Sequence, residues 1–180
     1  MNLPNKLTCL RMVMIVPFVI VMLAGKAEGW SMWVGLILFL AASFTDMLDG
    51  KIARKYNLIT DFGKFMDPLA DKLLVCSAMI ILVDLGRLPS WVCIVIIARE
   101  FIISGFRLVA SDNGIVIAAS MWGKVKTVTQ MAMIVALILH VDNPVFHTLE
   151  IILIAAACAL TIISLVDYIM KNRGVLSSTK

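Results

Sequence analysis

The stretch 46–71 reads DMLDGKIARKYNLITDFGKFMDPLAD, and it sets Asp46, Asp49, Gly50, Ala53, Arg54, Gly63, Asp67 and Asp71 in the spacing D-x2-D-G-x2-A-R-x8-G-x3-D-x3-D. Apolar runs flank it on both sides, so these charges stand inside or beside segments able to span a bilayer. A charged side chain facing lipid at a helix centre costs about 2.5–3.5 kcal/mol on a translocon-insertion scale. The four carboxylates are therefore expected to face inward and to hold something positive.

Working outward, 61% of the 180 residues are hydrophobic and the mean hydropathy is +0.98. An ordinary soluble domain is nearer half apolar. Apolar stretches of about 20 residues, the length that crosses a hydrocarbon core, recur along the whole chain. The composition predicts an all-α, polytopic membrane protein with one domain over 1–180. Hydropathy and breakers place six transmembrane helices at 8–25, 30–54, 62–85, 89–109, 121–141 and 146–170. Gly29, the Tyr56-Asn57 turn, Gly86 with Pro89, Asp112-Asn113-Gly114 and Asp142-Asn143-Pro144 supply the connections. Short loops make the bundle antiparallel. Residues 1–7, with Pro4, Asn5 and Lys6, read as a short N-terminal interfacial segment. The first span resembles a secretory signal in its flanks, but it completes an even-numbered bundle and is expected to stay.

Charge distribution sets the orientation. Lys6, Arg11, Lys51, Arg54, Lys55, Lys64, Arg107, Lys124, Lys126, Lys171, Arg173 and Lys180 fall at one end of the bundle, and Lys26 and Arg87 at the other. The positive-inside rule puts both termini and the acidic stretch toward the cytoplasm, in the cell membrane. A water-soluble cytoplasmic substrate then reaches the site, and no nucleic-acid partner is expected. Trp30, Trp33, Trp91 and Trp122 lie near span ends as interfacial anchors. Cys9, Cys76, Cys93 and Cys158 form no C-x-x-C pair and read as free thiols in helix surfaces. The twelve methionines read as packing, and His140 and His147, beside the outward loop, receive no catalytic role.

On a helix, Asp46, Asp49, Gly50 and Ala53 occupy i, i+3, i+4 and i+7, one stripe. Gly63, Asp67 and Asp71 repeat the stripe at i+4 steps on the next helix. Two helices thus present two acids each across one interface. Oxygen-only ligands suit Mg²⁺ or Mn²⁺, and the absence of His and Cys argues against zinc. Four negative charges at low dielectric need compensation, which two divalent ions provide. Such pairs recur where a phosphoryl group is displaced in line. Gly50, Ala53 and Gly63 clear space for a nucleotide or phosphate, although small residues at this spacing also let membrane helices pack closely.

The same string resembles the signature of the CDP-alcohol phosphotransferases at all eight positions. The resemblance implies a six-helix bundle, a homodimer, and two metal ions per active site on Asp46, Asp49, Asp67 and Asp71. It implies a CDP-lipid cleft at Asp49, Gly50, Ala53, Arg54 and Gly63, with Asp71 as general base. CDP-diacylglycerol then enters from the membrane lipids, Asp71 takes a proton from an acceptor alcohol, and CMP leaves. Three flanks, at 2–11, 97–107 and 122–127, resemble the branch of that family whose acceptor is sn-glycerol 3-phosphate. A dianionic acceptor needs a cationic clamp, and the candidates are Arg11, Arg99, Arg107, Lys124 and Lys126. For Arg99 the competing reading is a buried pair with Glu100, which is disfavoured because adjacent helical residues do not face each other. Arg107, Lys124 and Lys126 also satisfy the positive-inside rule by position alone. Ser104 reads as helix glue.

Two other readings stay open on sequence. One is another member of the family, making cardiolipin, a phosphatidylinositol phosphate or phosphatidylserine. The other is a divalent-cation transporter, since intramembrane aspartates also form transport sites. That reading leaves Arg54 and the small residues without a role, and residues 73–83 are almost wholly apolar where a transport path needs polar groups.

Overall fold

In the computed structural model, the backbone is described for residues 3–55, 61–112 and 120–172, and side chains for 5–45, 66–110 and 120–172. Every regular element among them is a helix: α1 (Leu3–Ala24), α2 (Gly29–Lys55), α3 (Asp61–Asp84), α4 (Ser90–Asp112), α5 (Met121–Leu139) and α6 (Pro144–Lys171). The shortest has 19 residues and the longest 28, about 28–42 Å at 1.5 Å per residue, enough to cross a bilayer core. Helices long and apolar enough to cross a membrane occupy Asn5–Ala24, Met121–Leu139 and Pro144–Lys171, and α2 is apolar over Gly29–Thr45 before its acids begin. The chain is an all-α polytopic membrane protein.

Helix limits follow the hydropathy reading within a few residues, with two instructive differences. The interfacial segment is, from Leu3 onward, the first turn of α1 itself, because one lysine and one asparagine do not stop a helix that Leu7 and Leu10 continue. Likewise α4 runs three residues past the apolar span's expected end at Val109, to Asp112. Apolarity marks the membrane; it does not mark the end of the hydrogen-bond ladder.

The chain divides into two compact units, Met1–Arg87 and Leu88–Lys180. In the first, α1 packs against both α2 and α3, and α2 touches α3. Phe18 and Phe39 are fully buried, with ring centroids 5.9 Å apart. Glycine lets α1 and α2 approach: a Cβ on Gly35 would sit 2.4 Å from Met22 Sδ, and one on Gly25 2.2 Å from Ser31 Cβ. Ser31 closes the turn by accepting from Glu28 N–H at 3.1 Å and donating to the Gly25 carbonyl at 3.0 Å, half of a capping box. α3 ends in a Schellman motif, with Gly86 at φ 71° and Arg87 N–H donating to the Leu82 carbonyl at 2.9 Å, the left-handed position glycine adopts without a Cβ penalty. Arg87 Nη2 then donates to the Ala27 carbonyl at 3.1 Å, tying that end to the α1–α2 turn.

In the second unit α6 packs against α4 and α5. Ser120 caps α5 by accepting from Gly123 N–H at 3.2 Å; Asn143 caps α6 by accepting from Val145 N–H at 2.8 Å, with Pro144 at N1, where its missing N–H costs nothing. The surfaces are inverted relative to a soluble bundle. Val13, Val16, Ile20, Ile94, Val128 and Ile151 are more than half exposed, while Arg11, Lys126, Thr161 and Ser164 are buried, the arrangement lipid demands. All four tryptophans are exposed within the first five residues of a helix, as anchors require.

Candidate active site

Asp46, Asp49, Gly50, Ala53 and Arg54 all lie on the last three turns of the unbroken helix α2, and Gly63 on the first turn of α3. The i, i+3, i+4, i+7 stripe is thus carried by continuous helical backbone; the side chains of these six residues lie outside the described set. Asp67 and Asp71 are one turn apart on α3, both half-buried. Pro68 stands between them and removes one i→i−4 hydrogen bond from that turn.

Asp67 does not face α2 alone. Its Oδ1 accepts a hydrogen bond from Thr8 Oγ1 at 2.5 Å, and Thr8 is fully buried on α1. α1 and α3 run parallel: Thr8 meets Asp67 near one end, and Leu23 and Asp84 line one groove near the other. The offset 67 − 8 = 59, carried one turn on, sets Arg11 level with Ala70 and Asp71. Asn5, Thr8 and Arg11, at steps of three, form a polar face that is buried, Arg11 at 0% exposure. α1 therefore stands beside the α3 part of the acidic motif, a neighbour the two-helix reading left out.

Asp67 also answers whether the acids suit a metal. Its hydrogen-bond partner among the described residues is a neutral hydroxyl, and no lysine or arginine pairs with it there. Among the described residues, then, this half-buried carboxylate on a membrane helix has a neutral partner, which leaves its charge to be met by another group. A hard divalent cation, for which oxygen donors are the natural ligands, fits that deficit.

The second unit holds a separate polar cluster. Arg99 on α4 donates from Nε to Ser164 Oγ on α6 at 3.1 Å and from Nη1 to Glu100 Oε1 at 2.9 Å. Lys126 on α5 donates to the same Glu100 oxygen at 2.5 Å. Arg99 is 9% and Lys126 1% exposed, so one carboxylate joins two buried cations from two helices. Arg99 Nη2 makes no hydrogen bond among the described residues and lies 3.5 Å from where a Cβ on Gly123 would stand. Ser164 is itself held by the Thr161 carbonyl at 3.0 Å.

This corrects the expectation for Arg99. The two neighbours do pair, because the spacing rule describes where Cβ atoms point, and a long guanidinium fork curls past it when Lys126 draws Glu100 to the same place. Of the five clamp candidates, Arg99 and Lys126 converge on Glu100. Arg11 is buried in the first unit, Lys124 is exposed two residues from Lys126, and Arg107 is exposed with its guanidinium 6.0 Å from the Tyr168 ring centroid. Ser104 Oγ donates to the Glu100 carbonyl one turn back at 2.6 Å, a helix-internal bond.

Thr8, Glu100 and Ser164 are the site residues the sequence reading did not assign. Thr8 lay in the 2–11 flank without a role, and Glu100 entered only as the disfavoured partner of Arg99. Ser164 had a signal of its own: Thr161, Ser164 and Tyr168 repeat at i, i+3, i+7 in the C-terminal half of the mostly apolar α6, and all three are buried, a polar stripe that must face protein in a bilayer.

A family model described as CDP-alcohol phosphatidyltransferase matches residues 1–163. Among similar proteins, one from Bacillus subtilis (strain 168), named CDP-diacylglycerol–glycerol-3-phosphate 3-phosphatidyltransferase, is 44% identical over 99% of this chain and 98% of its own length. One of the same name from Rickettsia typhi is 41% identical over 93% of this chain and 94% of its own. A Mycobacterium tuberculosis (strain H37Rv) protein named probable phosphatidylglycerophosphate synthase is 40% identical over 94% of this chain and 81% of its own.

Proposed function

The chain belongs to the CDP-alcohol phosphatidyltransferase family, and on that premise we propose that it transfers the phosphatidyl group of CDP-diacylglycerol to sn-glycerol 3-phosphate, giving phosphatidylglycerophosphate and CMP. The observation that carries this reading is the complete eight-position signature on the adjoining ends of α2 and α3, in a chain whose similar proteins bear the name of that reaction over nearly their whole length. The family match runs without a break across both three-helix units, which supports one functional domain over 1–180.

In this reading Asp46, Asp49, Asp67 and Asp71 hold two divalent ions, Mg²⁺ or Mn²⁺. When bound, such a pair neutralises charge on the diphosphate and clamps the attacking and leaving oxygens of an in-line displacement. The protein's own groups do the rest. Gly50, Ala53 and Gly63 leave room for the cytidine end, with Asp49 beside it, and Arg54 holds the diphosphate through its planar fork. Asp71 accepts the proton of the acceptor hydroxyl as that oxygen bonds to the lipid-side phosphorus and the phosphorus–oxygen bond to CMP breaks. Thr8 keeps Asp67 in place with a neutral hydrogen bond, so that its charge is left for the cation.

The acceptor's phosphate is assigned to the Arg99–Lys126 pair. Glu100 and Ser164 fix the Arg99 fork, and Nη2 stays available on the Gly123 side, where the absence of a side chain leaves space. Arg11 is buried in the first unit, and Lys124 and Arg107 are exposed charges of the second. Both termini and the site face the cytoplasm, and the enzyme acts as a homodimer, as the family premise and the basic distribution suggest. The test offers purified protein CDP-diacylglycerol and Mg²⁺ with glycerol 3-phosphate, inositol 1-phosphate, serine or phosphatidylglycerol, and measures CMP release. Release should depend on glycerol 3-phosphate; dependence on one of the others instead would overturn the acceptor and keep the family reaction.

A further inference from the structure

The α5–α6 turn carries a cluster that the transfer reaction does not use. α5 ends at His140, which takes the left-handed conformation (φ 35°) and donates its N–H to the Ala136 carbonyl at 2.9 Å. Three residues separate it from the start of α6 at Pro144, whose first two turns bring His147 and Glu150, at i and i+3, back over the turn. The two imidazole centroids are 5.0 Å apart. Glu150 is 5% exposed, and each of its oxygens meets one ring: Oε1 lies 2.9 Å from His140 Nδ1 and Oε2 3.1 Å from His147 Nδ1. These two rings are its side-chain partners among the described residues. Both histidines thus aim the same atom at one buried carboxylate.

We propose that His140, His147 and Glu150 form a binding site for a transition-metal dication of the Zn²⁺, Cu²⁺ or Ni²⁺ class, distinct from the aspartate site and independent of the function proposed above. The donor set decides the class. Two imidazoles and one carboxylate suit these borderline ions, whereas Mg²⁺ and Ca²⁺ take oxygen ligands. The three ligand atoms all lie within 4.8 Å of one another; bonds of about 2.0–2.2 Å to a tetrahedral centre need donor separations of about 3.3 Å, reached by small side-chain rotations. Three protein ligands leave a fourth position for water. The rings are 34% and 42% exposed at their side chains while Glu150 is at 6%, so an ion has an entry path and a fixed floor.

Coordination replaces the two Nδ1 contacts to Glu150: each ring binds through the Nδ1 lone pair as the neutral Nε2–H tautomer, a ring that carried its single proton on Nδ1 first moving it to Nε2 through solvent. The outward Nε2 of His147 lies 3.9 Å from the exposed carboxylate of Asp142, beyond hydrogen-bond distance. His140 holds a left-handed conformation that is uncommon for a non-glycine residue, and its ring meets Glu150 from there. With the metal bound, the end of α5 is stapled to the start of α6.

The test titrates Co²⁺ into the detergent-solubilised protein at saturating Mg²⁺ and reads the visible bands of tetrahedral Co²⁺. One equivalent should bind to the native protein and none in that form to His140→Asn or His147→Gln. Asparagine tolerates the left-handed conformation, so His140→Asn keeps the turn while removing the imidazole. CMP release with Mg²⁺ should stay within about twofold in both variants, which separates this result from any failure of the transfer reading. Zn²⁺ a hundredfold above its Kd should raise the native Tm by about 5–10 °C and leave the variants unmoved. Equal Co²⁺ spectra in native protein and variants would put the ion at the aspartates, and an absence of bands at millimolar Co²⁺ would mean that the histidines hold Glu150 by hydrogen bonds alone; either overturns the proposal.

Discussion

Replacing Glu100 by glutamine should destabilise the second three-helix unit by about 3 kcal/mol. The carboxylate takes Arg99 at 2.9 Å and Lys126 at 2.5 Å on one oxygen, and the two cationic side chains are 10% and 2% exposed. Glutamine keeps the volume and one acceptor but removes the charge, leaving both cations buried against a neutral group. Breaking a buried ion pair from one side costs about 3–5 kcal/mol. Since 20% of the Glu100 side chain is exposed, the lower end applies. At about 2–4 °C per kcal/mol for a chain of this size, Tm falls by about 6–12 °C, read by tryptophan fluorescence in detergent micelles. A double-mutant cycle isolates the pair: Lys126→Met alone, and together with Glu100→Gln, should show a coupling of at least about 1 kcal/mol, so that the double variant is less damaged than the sum. A Glu100→Gln protein melting within about 2 °C of native, or strict additivity in the cycle, would refute the bridging role.

Three further outcomes are expected. Arg99→Gln should raise the glycerol 3-phosphate KM at least about tenfold, a loss of about 1.4 kcal/mol, with the CDP-diacylglycerol KM unchanged, whereas the exposed Lys124→Gln should change neither by more than about threefold; steady-state CMP release reads both. Asp71→Asn should lower kcat by about 10²–10⁴, the contribution of a general base, with folding judged intact from an unchanged melt. Gly25→Ala should cost about 1–3 kcal/mol by overpacking, because its new methyl meets the Cβ of Ser31 at 2.2 Å, and should be worse than Gly35→Ala, whose methyl meets the mobile thioether of Met22 at 2.4 Å; thermal melts rank the two.

Helix positions were legible because lipid imposes one rule on every span, and the rule is written in composition. Breaker residues were legible too: Gly86 and the Asn143-Pro144 pair take the cap positions their chemistry prefers. Asp46 and Asp49 could be placed on one stripe of α2, and Asp67 and Asp71 on one of α3, from spacing alone. Thr8 against Asp67 could not, since it depends on which helix lies parallel to α3 and at what offset, a tertiary fact without local signature. The Arg99–Glu100 contact escaped for a different reason: helical spacing constrains Cβ directions, and arginine is long enough to ignore them when a third residue, Lys126, pins the carboxylate. Tight non-glycine turns were equally silent, as Lys26 and Ala27 at φ 50° and 52° illustrate.

The hydrogen bond between Thr8 and Asp67 also sets an order of events during synthesis. Asn5, Thr8 and Arg11 enter the membrane on the first helix made, but the α3 wall that receives them is 59 residues further along the chain. At about 5–20 residues per second that gap lasts about 3–12 s. For that interval the guanidinium and hydroxyl that the folded protein buries on α1 have no α3 beside them, so the polar face of α1 is made well before the helix that covers it.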